Sequence, residues 1–318
     1  MKCEIIVYGQ TGIFVPAVLS QIRWSTAENG CGVLEFDVVK EGMLDFKEGN
    51  AVTASYGGKV FFKGFVFEKR RSKTGIIHAI CYDQLRYFKN KDCYTYYNKT
   101  AAELVRMVAA DLGLETGTVE NTGYVIPYRI EDNSTYFDMI GDALKLTMQY
   151  TGRDYVLFDD CGKICLKSRQ SMISDYYVCA ENCIDFDYIS SIDRDSYTSV
   201  KLVHSDKRSG IYNVYTAENE SLKKRFGTLR HYEHISDDTQ GAYLANELLK
   251  QHGRVGRQLK VKALGDIELR AGCIVRVKLD LGDFTLDCFM TCSSVTHSIS
   301  ECEHTMGITL KGGEFVYE

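Results

Sequence analysis

The sequence predicts a mainly β fold with inserted α/β elements: two similar β-barrel domains and a helix-and-hairpin insertion. Three observations predict it. Short apolar runs alternate with Gly, Asn and Asp turns along most of the 318 residues. Three stretches switch to helical spacing. One layout, strand, glycine turn, aromatic strand, polar turn, strand, occurs twice, at 51–83 and at 273–312. The domains read as 1–97, a first barrel; 98–183, the insertion; and 184–318, a second barrel that includes one helix.

In chain order, residues 2–8, 14–25, 31–39, 51–56, 59–69 and 75–82 read as strands. The pattern then changes at "KTAAELVRMVAADLGL". Thr100 followed by Glu103 is a capping box, Leu104, Val105, Val108 and Leu112 form an apolar stripe, and Gly113 supplies the stop. A second helix, "NSTYFDMIGDALKLTMQYTG", is capped at Asn133 or Ser134 and ends at Gly152. "DYVLFDDCGKICLKSR" is a hairpin, and "YTSVKLVHSDKRSGIYNVYTAE" is two strands around a polar turn. A third helix, "SDDTQGAYLANELLKQHG", ends on Gly253, and strands fill the last 60 residues.

One strand breaks the usual pattern. "GKVFFKGFVFEKR" (58–70) is apolar on both faces: Val60, Phe62 and Val66 take one side, and Phe61, Phe65 and Phe67 the other. A strand buried on both sides needs a second cover. That cover is a neighbouring barrel or the inserted helices, so Phe61, Phe65 and Phe67 mark a candidate interface, with Lys63 reaching an edge or the lumen. Gly64 marks a bulge or a close backbone approach.

Chemistry leaves few candidates. There is no P-loop, no G-x-S-x-G and no H-E-x-x-H. His231 and His234 flank Glu233, but a three-residue spacing chelates from a helix and not from a strand. "DFDY" (185–188) and "DRD" (193–195) supply the only tempting paired carboxylates, and such pairs at strand ends usually face solvent. The 12 cysteines include three C-x3-C pairs: Cys161/Cys165, Cys179/Cys183 and Cys288/Cys292. Four residues of strand span roughly 13 Å, beyond the ~7 Å that a disulfide bridges. Cys179/Cys183 could close on a metal but lacks a second pair at zinc spacing. The expectation is free thiols, no metal, no cofactor and no catalytic residue. A net charge of −5, with basic runs only at Lys69–Arg71 and Lys223–Arg225, disfavours nucleic acid. No apolar run reaches the roughly 20 residues of a membrane span, and the N-terminus lacks a signal-peptide core.

The first barrel with "GKVFFKGFVFEKR", the following "AICYDQLRYFKNKDCYTYYNKTAAELV" and the later "DYVLFDDCGKICLKS" resemble the baseplate hub protein of contractile phage tails. The resemblance covers essentially the whole chain. It is nearest the hubs of PBSX-like prophages and of phage-tail-like bacteriocins of the diffocin type, in the late control protein D-like group. It implies a homotrimer whose chains each give two tube-like barrels, often built from discontinuous segments. Three chains would form a pseudo-sixfold ring joining the tail tube to the central spike. Implied partners are the tube, spike, tape-measure and baseplate wedge proteins. Assembly would take place in the bacterial cytoplasm, before the protein resides in the baseplate of the particle. A tail-associated peptidoglycan hydrolase or carbohydrate-binding protein is the alternative class, and a hub of a long flexible tail shares the same barrel logic.

Overall fold

The computed structural model describes residues 2–10, 12–19, 21–40, 46–193, 196–206, 210–235 and 241–315. The strands are β1 (Cys3–Tyr8), β2 (Ile13–Phe14), β3 (Ile22–Ala27), β4 (Val33–Val39), β5 (Ala51–Tyr56), β6 (Lys59–Arg71) and β7 (Ile76–Tyr82). They continue with β8 (Lys91–Thr100), β9 (Thr116–Val119), β10 (Val125–Thr135), β11 (Tyr155–Asp159), β12 (Ile164–Ser168), β13 (Ile173–Cys179) and β14 (Cys183–Ser191). The last are β15 (Ser199–Asp206), β16 (Ile211–Glu218), β17 (Arg230–His234), β18 (Gly256–Leu264), β19 (Ile274–Asp280), β20 (Thr285–Ile299) and β21 (His304–Phe315). Helices are α1 (Ala101–Asp111), α2 (Tyr136–Thr151), α3 (Glu220–Phe226) and α4 (Gly241–His252).

Two compact units result, Met1–Phe186 with Lys260–Glu318, and Asp187–Leu259. The larger sheet runs β14-β18-β21-β20-β3-β4-β7-β6-β5-β1-β2, with β19 beside β20 and β13 beside β19. The mainly β class expected from the turn rhythm is what the chain adopts. One core of the first unit lies under β1, β3–β7 and Ile299, where Leu34, Phe36, Val38, Val52, Ala54 and Val66 are almost wholly buried. Trp24 stacks on His297 with ring centroids 4.8 Å apart and meets Phe61 at 5.1 Å.

The insertion has a core of its own. In α1, Ala101, Leu104, Val105 and Val108 recur at i, i+3, i+4, i+7 and are buried with Tyr136, Met139, Ile140 and Ala143 of α2. The Thr100–Glu103 capping box forms as the sequence predicts: Thr100 Oγ1 accepts from Glu103 N–H at 3.2 Å, and the Glu103 carboxylate accepts from Thr100 N–H at 2.8 Å. The second cap is Thr135 and not Asn133 or Ser134. Asn133 takes a left-handed φ of 52° at a bulge in β10, the strand pairs again at Ser134 and Thr135, and Asp138 reaches back to complete a second capping box at Thr135. The expected strand 14–25 is two pieces, β2 and β3, with Pro16 between them. In the second unit, the sheet β16-β15-β17 buries Val200, Leu202 and Ala217 with Ala245 and Leu248 of α4. The start expected for that helix, 236–240, lies outside the described residues, and α3 carries no apolar stripe by which the sequence would reveal it.

A buried polar junction in the first unit joins the end of β7, the end of β11 and the approach to β19. Asp83 accepts from Gly32 N–H at 2.6 Å and from Leu85 N–H at 3.1 Å, capping the 3-10 turn Gln84–Lys89. Asp159 accepts from Gly162 N–H at 2.7 Å, and Arg270 Nη2 donates to the Asp159 carbonyl at 2.8 Å. Burial pushes both carboxyls up, Asp159 to about 6 from 3.8. Burial pulls His297 down, to about 4 from 6.5; its Nε2–H donates to the Leu269 carbonyl at 2.8 Å.

These groups act oppositely with pH. Asp159 holds its proton more tightly when folded, so its contribution is full below about pH 4 and is lost as pH rises through about 6. His297 favours the neutral form, so its contribution is present above about 6.5 and lost as pH falls through about 4. Wild-type pH curves therefore mix the two, and a variant difference separates them. The stability of wild type minus that of Asp159→Asn should fall between pH 4 and pH 7 by on the order of 3 kcal/mol at most. Denaturant titrations at each pH measure this, and a pH-independent difference would show that Asp159 titrates normally.

Gly64 supplies a second test. A Cβ there would collide with the Tyr82 carbonyl and the Phe62 ring, whereas nothing lies within 4 Å of a Cβ at Gly141 in α2. Gly64→Ala should cost about 1–3 kcal/mol, and Gly141→Ala should gain up to about 1 kcal/mol from helix propensity, both read by thermal melts.

Candidate assembly interface

The residues singled out on β6 lie differently from simple alternation. Ala54 pairs with Phe62 and Ser55 with Val60, leaving Phe61 as an extra residue on β6. This bulge turns Phe61 and Phe62 together into the core, at 8 % and 3 % exposure, and leaves Val60 outside at 37 %. The grouping of Val60 with Phe62 and Val66 is corrected by that one inserted residue. Phe65 and Phe67 are half-buried against the 3-10 turn of their own chain. Phe65 meets Tyr87 at 6.4 Å; Phe67 meets Tyr82 at 5.3 Å and Tyr87 at 5.9 Å, with the Arg86 guanidinium 5.5 Å over its ring. Lys63 is exposed, opposite Thr53. Gly64 sits at a close backbone approach, as read from the sequence.

The recurrent layout at 51–83 and 273–312 is a matching pair of three-stranded meanders, β5-β6-β7 and β19-β20-β21. The match extends to single residues. Phe65 is the last residue of β6 paired with β5, and Thr291 the last of β20 paired with β19. Next, Val66 exchanges hydrogen bonds with Gly49 and Asn50 at 2.7 and 2.9 Å; Cys292 does so with Gly272 and Cys273, both at 2.8 Å. Both glycines have left-handed φ, 86° and 90°. The following residue, Phe67 or Ser293, is a bulge against the third strand of the meander. Three residues before each glycine, a carbonyl accepts from a side chain of the long strand: Phe46 from Lys69, Leu269 from His297.

The correspondence then spreads to six strands. One module reads β3-β4-β7-β6-β5-β1 across the sheet, and the other reads β14-β18-β21-β20-β19-β13. Strands at matching places also follow each other in the same chain order. Only the outermost pair differs in direction: β1 is antiparallel to β5, and β13 parallel to β19. The modules join where β3 pairs with residues 294–299 of β20, on the edge that β19 uses earlier.

Other predicted candidates are scattered. Asp185 and Asp187 lie exposed on β14; Asp195 is outside the described residues. His231 and Glu233 share a face of β17 and hydrogen-bond at 3.0 Å, while His234 lies 3.2 Å from the Tyr232 hydroxyl. All 12 cysteines are free; five are buried (Cys31, Cys81, Cys165, Cys273 and Cys292) and two exposed (Cys93 and Cys302). Cys179 and Cys183 bracket a turn in which Asn182 Oδ1 accepts from Cys179 N–H at 3.0 Å. Among the described residues, no group of three or more His, Cys, Asp or Glu is placed to hold a metal ion. No helix among them is long and apolar enough to cross a membrane. Sequence reasoning missed the paired glycines and bulges; the shared spacing of Gly49 and Gly272 ahead of their meanders was the available signal.

The fold is that of phage tail proteins. It superposes on the 43 kDa tail protein of prophage MuSo2 from Shewanella oneidensis with a TM-score of 0.72 at 14% identity, over 96% of this chain and 98% of that one. A tail protein from Neisseria meningitidis gives 0.71 at 12%, over 98% and 97%. The E. coli c3393 protein, a type VI secretion component described as similar to the T4 tail proteins gp27 and gp5, gives 0.59 at 9%, over 96% and 76%. Residues 22–311 match the YQBQ-like family model, and the chain belongs to that family. It is 30% identical over 253 residues to the phage-like element PBSX protein XkdQ of Bacillus subtilis, covering 76% of each chain, and equally to YqbQ of the same organism. The PBSX-like resemblance read from the sequence thus holds.

Phe65→Asp should destabilise the chain by about 2 kcal/mol, because it removes the Tyr87 contact and places a charge in a half-buried site. Lys73→Asp, in an exposed turn, should stay within about 0.5 kcal/mol of wild type. Denaturant midpoints compare them; equal effects would mean that β6 gains nothing from its second apolar face.

Proposed function

We propose that this protein is the baseplate hub of a contractile phage tail or phage-tail-like bacteriocin, a homotrimer whose ring joins the tail tube to the central spike. The carrying observation is the repeated six-strand module. A closed threefold assembly can meet a sixfold tube only if each chain offers two comparable surfaces. The residue-level match at Gly49–Glu68 and Gly272–Ser294 supplies two such surfaces in one chain. The first ring element lies within 1–97. The second begins at β13, before the expected limit at 184, and its chain passes into the second unit within β14, at Asp187, and out of it within β18, at Lys260. Tape-measure and wedge proteins are the remaining partners in this reading, with assembly in the bacterial cytoplasm and residence in the particle. The reading assigns the chain no catalysis. The tail-type fold and the PBSX relative support it.

The test is a reconstruction of the assembled tail by electron microscopy. The hub density should be threefold, and the two modules of one chain should superpose by a rotation of about 60° about the tube axis. A hub density without threefold symmetry, or modules unrelated by that rotation, would overturn the assignment.

A further inference from the structure

The two modules differ in one respect that their correspondence makes specific. On β20, the edge beyond the bulge is occupied: Ser294–Ile299 pair with β3, and Glu28 N–H donates to the Ser293 carbonyl at 3.0 Å. On β6, the equivalent edge beyond Phe67 faces no described strand; β7 takes the opposite edge, and β5 ends at Phe65. The strand equivalent to β3 is β14, which ends the order of the same sheet, with no further described strand paired to it. Each module thus has one donor strand and one acceptor edge. Among the described residues, one of the two possible pairings is made, β3 with β20.

We propose that β14 of one copy pairs with the free edge of β6, residues Phe67–Arg71, in the next copy, repeating between chains the β3–β20 pairing made within the chain. The inference rests on the ring reading above and names the strands that close it. The contact is heterologous, so repetition closes a ring when the rotation allows.

Charge and exposure fit this occupant. Between residues 180 and 191 the chain carries Glu181, Asp185 and Asp187 and no Lys or Arg. The β6 edge and its turn carry Lys69, Arg70, Arg71 and Lys73 against the single carboxylate of Glu68, which pairs with Arg70 at 2.5 Å. Opposite charge brought together across paired strands favours the contact, and like charge on each lone edge disfavours the pairing of two β14 strands. Strand β14 also leaves Ile184 and Phe186, two residues apart on one face, open at 51 % and 40 % exposure. The pairing within the chain sets the register: β3 runs antiparallel to β20 and ends at the bulge carbonyl of Ser293, so β14 would run antiparallel to β6 and end at the bulge carbonyl of Phe67.

The test uses assembled particles built from a mixture of 14N- and 15N-labelled hub chains. A zero-length carbodiimide should join Asp185 or Asp187 to Lys69 or Lys73, and mass spectrometry should find the mixed-isotope peptide pairs that only two different copies can give. Reversal by Asp185→Lys with Asp187→Lys should cut particle yield by about tenfold or more, and adding Arg70→Glu with Arg71→Glu should restore it. Circular dichroism of each variant chain verifies folding. A threefold hub in which these carboxylates cross-link elsewhere, or a double reversal that leaves yield unchanged, overturns the strand pairing while the hub reading stands. A hub without threefold symmetry overturns both.

Discussion

A β-strand has two edges and a fixed alternation of faces, and two long strands of this protein change partners along their length: β20 takes β19, β21 and β3 onto its two edges, and β6 takes β5 and β7. β6 and β20 each pair with one strand along their first half and with another along their second. A single extra residue, Phe67 or Ser293, makes the change possible. The bulge bends the strand, releases one partner and re-aims the side chains that follow. The left-handed glycine ahead of each meander lets the incoming chain close against the bend, and its hydrogen bonds end one pairing where the other begins. Core composition follows. A second bulge at Phe61 places three successive bulky residues of β6 in unlike settings: Val60 outside, Phe61 and Phe62 inside.

The modules diverge where connections tolerate length. The link between β3 and β4 is a short turn in which Asn29 adopts φ 55°. The equivalent link, β14 to β18, carries the whole second unit, with β15–β17, α3 and α4. Between the modules lies the insertion of α1, α2 and β8–β12, with its own core. Insertions at such surface links leave the sheet hydrogen bonds untouched, so two copies of one layout can drift to different sizes and sequences.

Electrostatics then lock these pieces. Asp83 ends the first module, Asp159 ends β11 of the insertion and Arg270 precedes β19 of the second module, and all three meet in one buried junction. A charge placed there is costly unless hydrogen-bonded, which is why the backbone N–H groups of Gly32, Leu85 and Gly162 converge on the two carboxyls.

Much of this was legible in the residues. The Thr100–Glu103 box, the stripe of α1, the β11–β12 hairpin and the two meanders each depend on neighbours within a few residues, and local rules recover them. What the sequence by itself determined is therefore the β class, the insertion of helices and the recurrence of a layout. Tertiary structure decided the rest. The pairing of β3 with β20 brings Ser25 to 3.1 Å from Thr296, 271 residues away, and no local signal encodes that partner. A bulge exists only relative to the strand opposite it, so Phe61 could not be told from Val60 by alternation alone. Asp185 and Asp187 read as a carboxylate pair in the sequence; only the sheet order shows them on a strand with an open edge, because edges are a property of the whole sheet.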